Sequence, residues 1–439
     1  MNPGLVRSIG LRHATALVAG TIIGAAIFVQ PSEIGRHVPS VSGILLVWLL
    51  AGLLTFCGAA VCAELASALP HTGGVYVYLK EGFSPALGFL WGWAMFWSMH
   101  SGIVAAIAVV FGRYLAYFLP LGDRAAAIVG ILLLSGINYV GVKQGSVVQT
   151  VLTLVKVLAI ALLVGMLLVF GASSTPIAPG ASGPAWLSLR EFILAVSAGL
   201  FAFGGWHMVT YPAGETRDPG RTIPQALALG TATVTLCYLA LNAAYLHVLP
   251  LDQVISSPRI ATDAANVVAG PRSAGLVTAL VIVSTFGALS GIVLAGPRVY
   301  YAMALDGLMP RWAGALHPRY RTPHVAILLQ AAWSCVLVAT GTYRGLFTRV
   351  IYTEWLFFAL MTIGVFRLRR RPGYAPSTRI GSVAPALFLV SSVVIVANQV
   401  AATPLDCALG LLLVAAGLPV YYWWCRSSTS TTTSTRPPT

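Results

Sequence analysis

The sequence predicts an all-α integral membrane fold of twelve transmembrane helices. The first ten form two five-helix repeats of opposite orientation, and helices 1 and 6 are broken. Three observations carry this expectation. The 439 residues are 57% hydrophobic and 9% charged, with a mean hydropathy of +0.84, against roughly 25% charged residues in a soluble domain. Apolar stretches near the ~20 residues that a helix needs to cross a bilayer recur from one end of the chain to the other. Two of these stretches, five crossings apart, are interrupted by glycines.

A short N-terminal segment, 1–11, precedes the first span at 12–35, which contains GTIIGAAIFVQP (20–31). In hydrocarbon an unpaired N–H or C=O costs several kcal/mol, so irregular backbone survives only where it is buried in protein or lines a cavity. Gly20 and Gly24 therefore point to a break that faces a cavity. Spans at 42–69, 85–119, 125–142 and 147–170 complete a first repeat, 12–170. The sixth span, 190–213, opens the second repeat, 190–369, and Gly204 and Gly205 interrupt it in FAFGGWHMVTYPAGETRDP (201–219). Spans at 225–249, 274–303, 323–341 and 346–366 come next, then a final pair at 383–401 and 405–425. The last segment, 426–439, ends in SSTSTTTSTRPPT, a polar low-complexity tail expected to be disordered.

Five crossings reverse the chain's direction, so the second repeat is an inverted copy of the first. Glycine-interrupted segments at matching places in two such halves mark the binding site of secondary transporters. Gly43, Gly52, Gly88, Gly92 and Gly287 read instead as small residues that let neighbouring helices approach.

The net charge of +14 invites a nucleic-acid partner, but its placement argues for a membrane one. With the N-terminus inside, Arg7, Arg12, Lys143, Arg217, Arg221, Arg319, Arg321 and the run Arg367, Arg369, Arg370, Arg371 share one side. Arg36, Arg124, Arg259 and Arg272 represent a smaller set on the other. The positive-inside rule then puts both termini in the cytoplasm of a multi-pass plasma-membrane protein. The first span is too closely joined to the rest of the hydrophobic series to be a removable signal peptide. The six cysteines, Cys57, Cys62, Cys237, Cys335, Cys407 and Cys425, lie mostly within spans and without metal-ligand spacing, so they read as small buried hydrophobes. There is no phosphate-binding Gly-Lys-Ser/Thr loop, and no cofactor or metal is expected.

A broken helix exposes N–H groups where it restarts and C=O groups where it stops. The first attract anions and the second cations, each end carrying about half a unit charge. At the first break the donors are the N–H groups of Gly24, Ala25 and Ala26, suited to a carboxylate. Carbonyls near Ile22, Phe201 and Gly204 suit an ammonium. A free amino acid carries both groups on one carbon.

Ionisable residues at mid-membrane depth are functional candidates by default. Lys156, in VLTLVKVLAIALLV, is central in span 5; snorkelling to an interface is a long reach from there, so its ammonium is expected among carbonyls or hydroxyls inside the bundle. Glu354, in VIYTEWLFFAL of span 10, is either a packed, hydrogen-bonded carboxyl or a proton-coupling site. Glu64, nearer the inner end of span 2, reads as a structural partner for a loop arginine. His207 comes just after the second break and is either a pocket contact or an interior histidine, and His100 is a weaker candidate.

At these residues the chain resembles the amino acid-polyamine-organocation superfamily, and within it the L-type amino acid transporter family. The resemblance runs from GLRHATALVAGTIIG through AELASALPHTGGVYVYL and FAFGGWHMVTYPAGETRDPGRTIPQAL to STFGALSGIVLAGPRVYYAMALDGLMP. It implies the LeuT-like 5+5 arrangement, alternating access, and sodium-independent exchange of amino acids. It puts carboxylate donors at Gly24, Ala25 and Ala26, amino-group acceptors at Ile22, Phe201 and Gly204, and an aromatic lid at Phe201. It makes Lys156 a fixed cation with partners near Ser284 or Thr285.

The chain departs from the family where Gly24-Ala25-Ala26 replaces the usual Gly-Ser-Gly and where His207 replaces a common asparagine. The loop reading FLPLGDRAA (118–126) lacks the cysteine by which eukaryotic members tether a heavy chain, so no disulfide-linked heavy chain is expected. The reading is an exchanger of neutral, small amino acids. A proton-coupled symporter using Lys156 or Glu354 is the alternative. A channel, which needs a continuous polar face, and a membrane enzyme, which needs a nucleophile with its base or a metal set, fit less well.

Overall fold

A computed structural model describes residues 5–171, 188–257, 259–270, 273–341 and 343–430, with backbone alone at 274, 343–351 and 425–430. Among the described residues every regular element is helical, apart from one isolated parallel bridge between Ile9 and Thr216. In chain order the α-helices are α1 (Leu11–Ile22), α2 (Gln30–His37), α3 (Val41–Ala68), α4 (Val75–Gly82), α5 (Pro85–Trp97), α6 (Met99–Leu115) and α7 (Asp123–Val140). They continue as α8 (Val142–Phe170), α9 (Leu189–Ala202), α10 (Pro219–Val248), α11 (Leu251–Ser256), α12 (Ile260–Ala269) and α13 (Ser273–Ala295). The last are α14 (Pro297–Leu305), α15 (His324–Thr340), α16 (Tyr343–Leu368), α17 (Val383–Ala402), α18 (Pro404–Ala415) and α19 (Gly417–Ser430).

Their starts are written in the chain: the Ser40 and Ser84 hydroxyls accept the N–H of Gly43 at 3.1 Å and of Leu87 at 3.4 Å, and Pro85 occupies the first turn of α5. A serine cap satisfies one of the free donors of a first turn, and proline there forfeits no hydrogen bond.

Nine spans among the described residues are long and apolar enough to cross a membrane, and α12 and α15 are shorter apolar helices. The first expected span is not among the nine, because 12–35 is not one helix. It stops at Ile22, and the chain goes on through a 3-10 turn at Ala26–Phe28 into the polar α2. The sequence boundary at 425 also shifts: α19 runs on to Ser430, so 426–430, expected as tail, are helical. Residues 431–439, Arg272 and the side chain of Cys425 lie outside the described residues. The other five cysteines are free.

Helix α8 shows how sequence sets orientation. Gln149, Thr153, Lys156, Ile160, Leu163 and Leu167, spaced four or three apart, are buried, while Val151, Leu154, Leu158 and Leu162 are exposed. Polar groups face the bundle and aliphatic ones face outward, the inverse of a soluble helix and the arrangement hydrocarbon demands. Helix α1, at the centre, packs on α8, α10 and α13. Gly230 of α10 permits this, since a Cβ there would stand 2.5 Å from Val18 Cγ1.

At one end of the bundle the chain beyond the second break is clamped. Ser8 and Ile9 donate to Glu215 O at 2.9 and 3.0 Å, and Arg217 N–H donates to Ile9 O at 2.9 Å. Arg298 of α14 holds the Glu215 carboxylate with two hydrogen bonds, at 2.9 and 3.1 Å, and gives a third to Leu294 O at 2.7 Å. Both side chains are fully buried, at 0% and 1% exposure. Arg298→Met is expected to destabilise the protein by about 3–5 kcal/mol, because it strands a buried carboxylate, whereas Arg298→Met with Glu215→Met restores much of that. Thermal unfolding in detergent, followed by size exclusion, reads the difference; equal losses in the single and double variants count against the clamp.

Glu64 is the structural partner expected of it. It accepts from Arg369 Nε at 2.8 Å and Nη2 at 2.7 Å, from Ile380 N–H at 2.9 Å and from the Tyr374 hydroxyl at 3.3 Å. In the connection after α16, burial and then the Glu64 charge hold the Tyr374 phenol well above its ordinary range, so it stays protonated as a donor.

Candidate functional site

The site begins with two interruptions that touch. α1 ends on Ile22, and Ile23 turns into extended backbone (φ −70, ψ 96) with its N–H still bonded to Ala19 O. The next backbone donor in the series is Phe28, bonded to Ala25 O at 3.0 Å. Between them the N–H groups of Gly24, Ala25 and Ala26 have no hydrogen-bond partner among the described residues. At the second interruption α9 ends on Ala202, and Gly205 takes φ +102, a conformation open to glycine and rarely to other residues. The chain resumes as 3-10 turns at Trp206–Thr210 and Ala213–Glu215. The Thr21 hydroxyl reaches Gly205 O at 3.2 Å, and a Cβ on Gly205 would stand 3.2 Å from Thr21 Cβ. The absence of a side chain at Gly205 is what lets the breaks meet.

Carbonyls freed at the end of α1 are taken up by side chains from other helices. Lys156 Nζ, fully buried, donates to Gly20 O at 2.8 Å, Ile23 O at 2.7 Å and Ser284 O at 3.2 Å. An ammonium has three protons and no acceptor, so these carbonyls use all of them. Gly287 of α13 leaves the path for it, since a methyl there would lie 2.9 Å from Lys156 Cε. The Tyr238 hydroxyl of α10 is shared between Ile22 O at 3.0 Å and Ala202 O at 3.1 Å, binding the stopped ends of both helices with one group.

Between the breaks, α6 and α16 lies a cavity of about 80 Å³. The expected residues Ile22, Gly24, Ala25, Ala26, Phe201 and Gly204 all line it, and so does Glu354. Ile22 O, expected to be free for an ammonium, is already bonded to Tyr238, and Phe201 O accepts Gly204 N–H at 3.0 Å.

His207 is not on the lining. It is 1% exposed, with Nε2 at 3.3 Å from Glu354 Oε1, and Nδ1 has no partner among the described residues. The 3-10 turn after Gly205 aims it behind the cavity wall, between Trp91, Tyr211 and Phe358. Of the two residues expected to meet Lys156, Ser284 does so through its backbone oxygen. Thr285 does not: its hydroxyl turns back to Val281 O at 2.8 Å and Ile282 O at 3.0 Å. His100, the weaker candidate, is buried with Nε2 at 2.9 Å from Ile292 O.

Sequence reasoning missed Tyr238, Thr21 and the Gly102, Ile103, Ala106 face of α6. Tyr238 carried a signal, a hydroxyl inside the apolar run TLCYLALNAAYLHV, because a buried hydroxyl needs a partner.

A helical bundle with apolar outer faces and a small cavity between two opened helix ends fits the class of membrane transporters. The comparisons with known proteins agree: the chain belongs to the amino acid permease family, whose pattern matches residues 9–417, within the amino acid-polyamine-organocation superfamily. It is 33% identical over 427 residues to the serine/threonine exchanger SteT of Bacillus subtilis (strain 168), covering 95% of this chain and 97% of that protein. It is 28% identical to the human Asc-type amino acid transporter 1, over 95% of this chain and 82% of that one. With the human b(0,+)-type amino acid transporter 1 the figures are 29%, 91% and 84%. The chain is thus a multi-pass amino acid transporter and not an enzyme.

Proposed function

We propose that this transporter exchanges small neutral amino acids across the plasma membrane without sodium, by alternating access. The observation that carries the reading is the set of unpaired N–H groups at Gly24, Ala25 and Ala26 on the wall of an otherwise apolar cavity. They bind the substrate carboxylate, and carbonyls at the second break take the amino group, so a zwitterion is held without a charged side chain. Phe201 closes over it. Lys156 supplies a fixed positive charge between the first break and α13, which removes the need for a metal cation there. The cavity volume supports small substrates: at ~10–15 Å³ per water it has room for about five to eight waters, close to the heavy-atom count of alanine or serine. The serine/threonine exchanger among the relatives supports both the exchange mode and the substrate size.

The same reading takes twelve crossings in a 5+5 inverted repeat, with residues 12–170 and 190–369 as the repeats, both termini cytoplasmic and no heavy chain. A panel of radiolabelled amino acids in proteoliposomes, with and without internal substrate, tests it. Uptake of small neutral amino acids is expected only when the vesicles contain one.

Ala26 sets part of the size limit. Ala26→Gly is expected to widen the range accepted, with valine and leucine gaining as competitors of alanine uptake; a narrower range removes that methyl from the pocket.

One observation favours the second reading, proton-coupled symport: Glu354 lines the cavity within reach of His207. Net uptake driven by a pH gradient into empty vesicles marks that mechanism.

A further inference from the structure

We infer that Glu354 reads the substrate's side chain and selects amino acids that carry a hydroxyl there. This rests on the proposed seating of the substrate at the helix breaks and adds to it the chemical class of the substrate. With the carboxylate on the N–H groups of Gly24, Ala25 and Ala26, and the amino group on carbonyls of the breaks, two of the substituents of the α-carbon are fixed. The side chain then points away from α1, toward the wall built by α6 and α16.

That wall offers Gly102, Ile103 and Ala106 from α6, and Glu354, Trp355 and Phe358 from α16. Five of the six give the side chain carbon, helix backbone, an aromatic face or the indole N–H of Trp355, and none of them gives a side-chain acceptor. The carboxyl of Glu354 is the exception. Its Oε1 is 3.3 Å from His207 Nε2, and the carboxyl has no other partner among the described residues. Its side chain retains 11% exposure where His207 retains 1%, and because Glu354 lines the cavity, that exposure opens into it.

Once a substrate fills the cavity and shuts out water, a carboxyl oxygen left there without a partner is unfavourable by more than a hydrogen bond gains in water. A hydroxyl on the substrate supplies the missing donor. Alanine, 2-aminobutyrate and valine cannot, and they leave the group stranded in an apolar pocket. Sites built to pair a substrate hydroxyl reject analogues that lack it far better than apolar pockets reject one extra methyl. His207 packs against the carboxyl from behind, at Oε1, which leaves Oε2 for the substrate. A long cationic side chain is also an acceptable charge partner for Glu354, but the cavity of about 80 Å³ has no room for one.

The test needs no variant at first. In proteoliposomes loaded with alanine, wild-type uptake is compared for two near-isosteric pairs, threonine against valine and serine against 2-aminobutyrate. The hydroxyl member is expected to win each pair by about tenfold or more in kcat/KM. Glu354→Leu is then expected to level both pairs, read as the ratio of kcat/KM within each pair whatever the absolute rate, and Glu354→Gln, which still hydrogen-bonds, to keep part of the preference. Wild-type protein that exchanges all five substrates without preferring the hydroxyl overturns the inference and leaves the exchanger reading intact. So does an undiminished preference in Glu354→Leu, or an equal loss of every substrate in both variants. If wild-type protein exchanges none of them, the proposed function itself has failed.

Discussion

Lys156→Met lowers amino acid exchange by at least about 100-fold, with the protein still inserted and monodisperse in detergent. The methionine keeps the length and bulk of the side chain and removes the ammonium, so three carbonyls, those of Gly20, Ile23 and Ser284, lose their donor at once. Hydrogen bonds to a charged group contribute ~1.5–3 kcal/mol each, and an orphaned buried carbonyl adds about 1–3 kcal/mol more. Summed over three carbonyls, either figure exceeds the 2.7 kcal/mol or so that separates a working geometry from a hundredfold slower one. The loss falls on function because Gly20 and Ile23 flank the break that presents the N–H groups of Gly24, Ala25 and Ala26. Lys156→Arg does not rescue it, since the contact at Gly287 leaves no space for a planar guanidinium. Uptake at matched protein density in proteoliposomes checks this; exchange within a few-fold of wild type in Lys156→Met removes the lysine from the mechanism.

The second large effect is at Gly24. Gly24→Val is expected to abolish transport and to leave the melting temperature within a few degrees of wild type. Gly24 has no positive φ, so the backbone accepts a side chain. The nearest atom to a new Cβ is Ala288 Cβ at 3.3 Å, which needs α13 to give by a few tenths of an ångström, and the next is Ile22 O at 3.9 Å. The branch then projects into a cavity of only about 80 Å³ and stands over the donors meant for the carboxylate. Gly205 is a poorer place for this test, because φ +102 and the Thr21 contact make any side chain there a folding defect as well. Normal uptake by Gly24→Val means that the substrate is not seated at the first break.

How much of this was readable in the sequence depends on the kind of residue. Composition settled the class, because hydrocarbon tolerates few charges. The same scarcity made Lys156 conspicuous at mid-span and implied the carbonyl partners it has. The glycines marked both interruptions, since a helix in lipid has no other cheap way to open. Register was less legible. Ser284 and Thr285 are neighbours in sequence but about 100° apart around a helix, so an approximate motif alignment could not tell which faces Lys156. Thr285 is bonded to its own helix instead. His207, open in the sequence between pocket contact and interior histidine, turns inward for a related reason: after Gly205 the chain winds as a 3-10 turn of 3.0 residues rather than an α-helix of 3.6, and the side chain is carried behind the wall. Nothing local to Tyr238 says that it would join Ile22 to Ala202, because that contact depends on how α10 packs across both breaks.

The central claim is exchange at the paired breaks with Lys156 as a permanent cation. It is tested most directly by measuring labelled serine influx, labelled alanine efflux and internal pH together in sodium-free proteoliposomes. The account predicts one alanine out for each serine in, no uptake by empty vesicles beyond leak, and no proton movement tied to either flux. A proton entering with each serine, and accumulation in empty vesicles under an inward pH gradient, would contradict it.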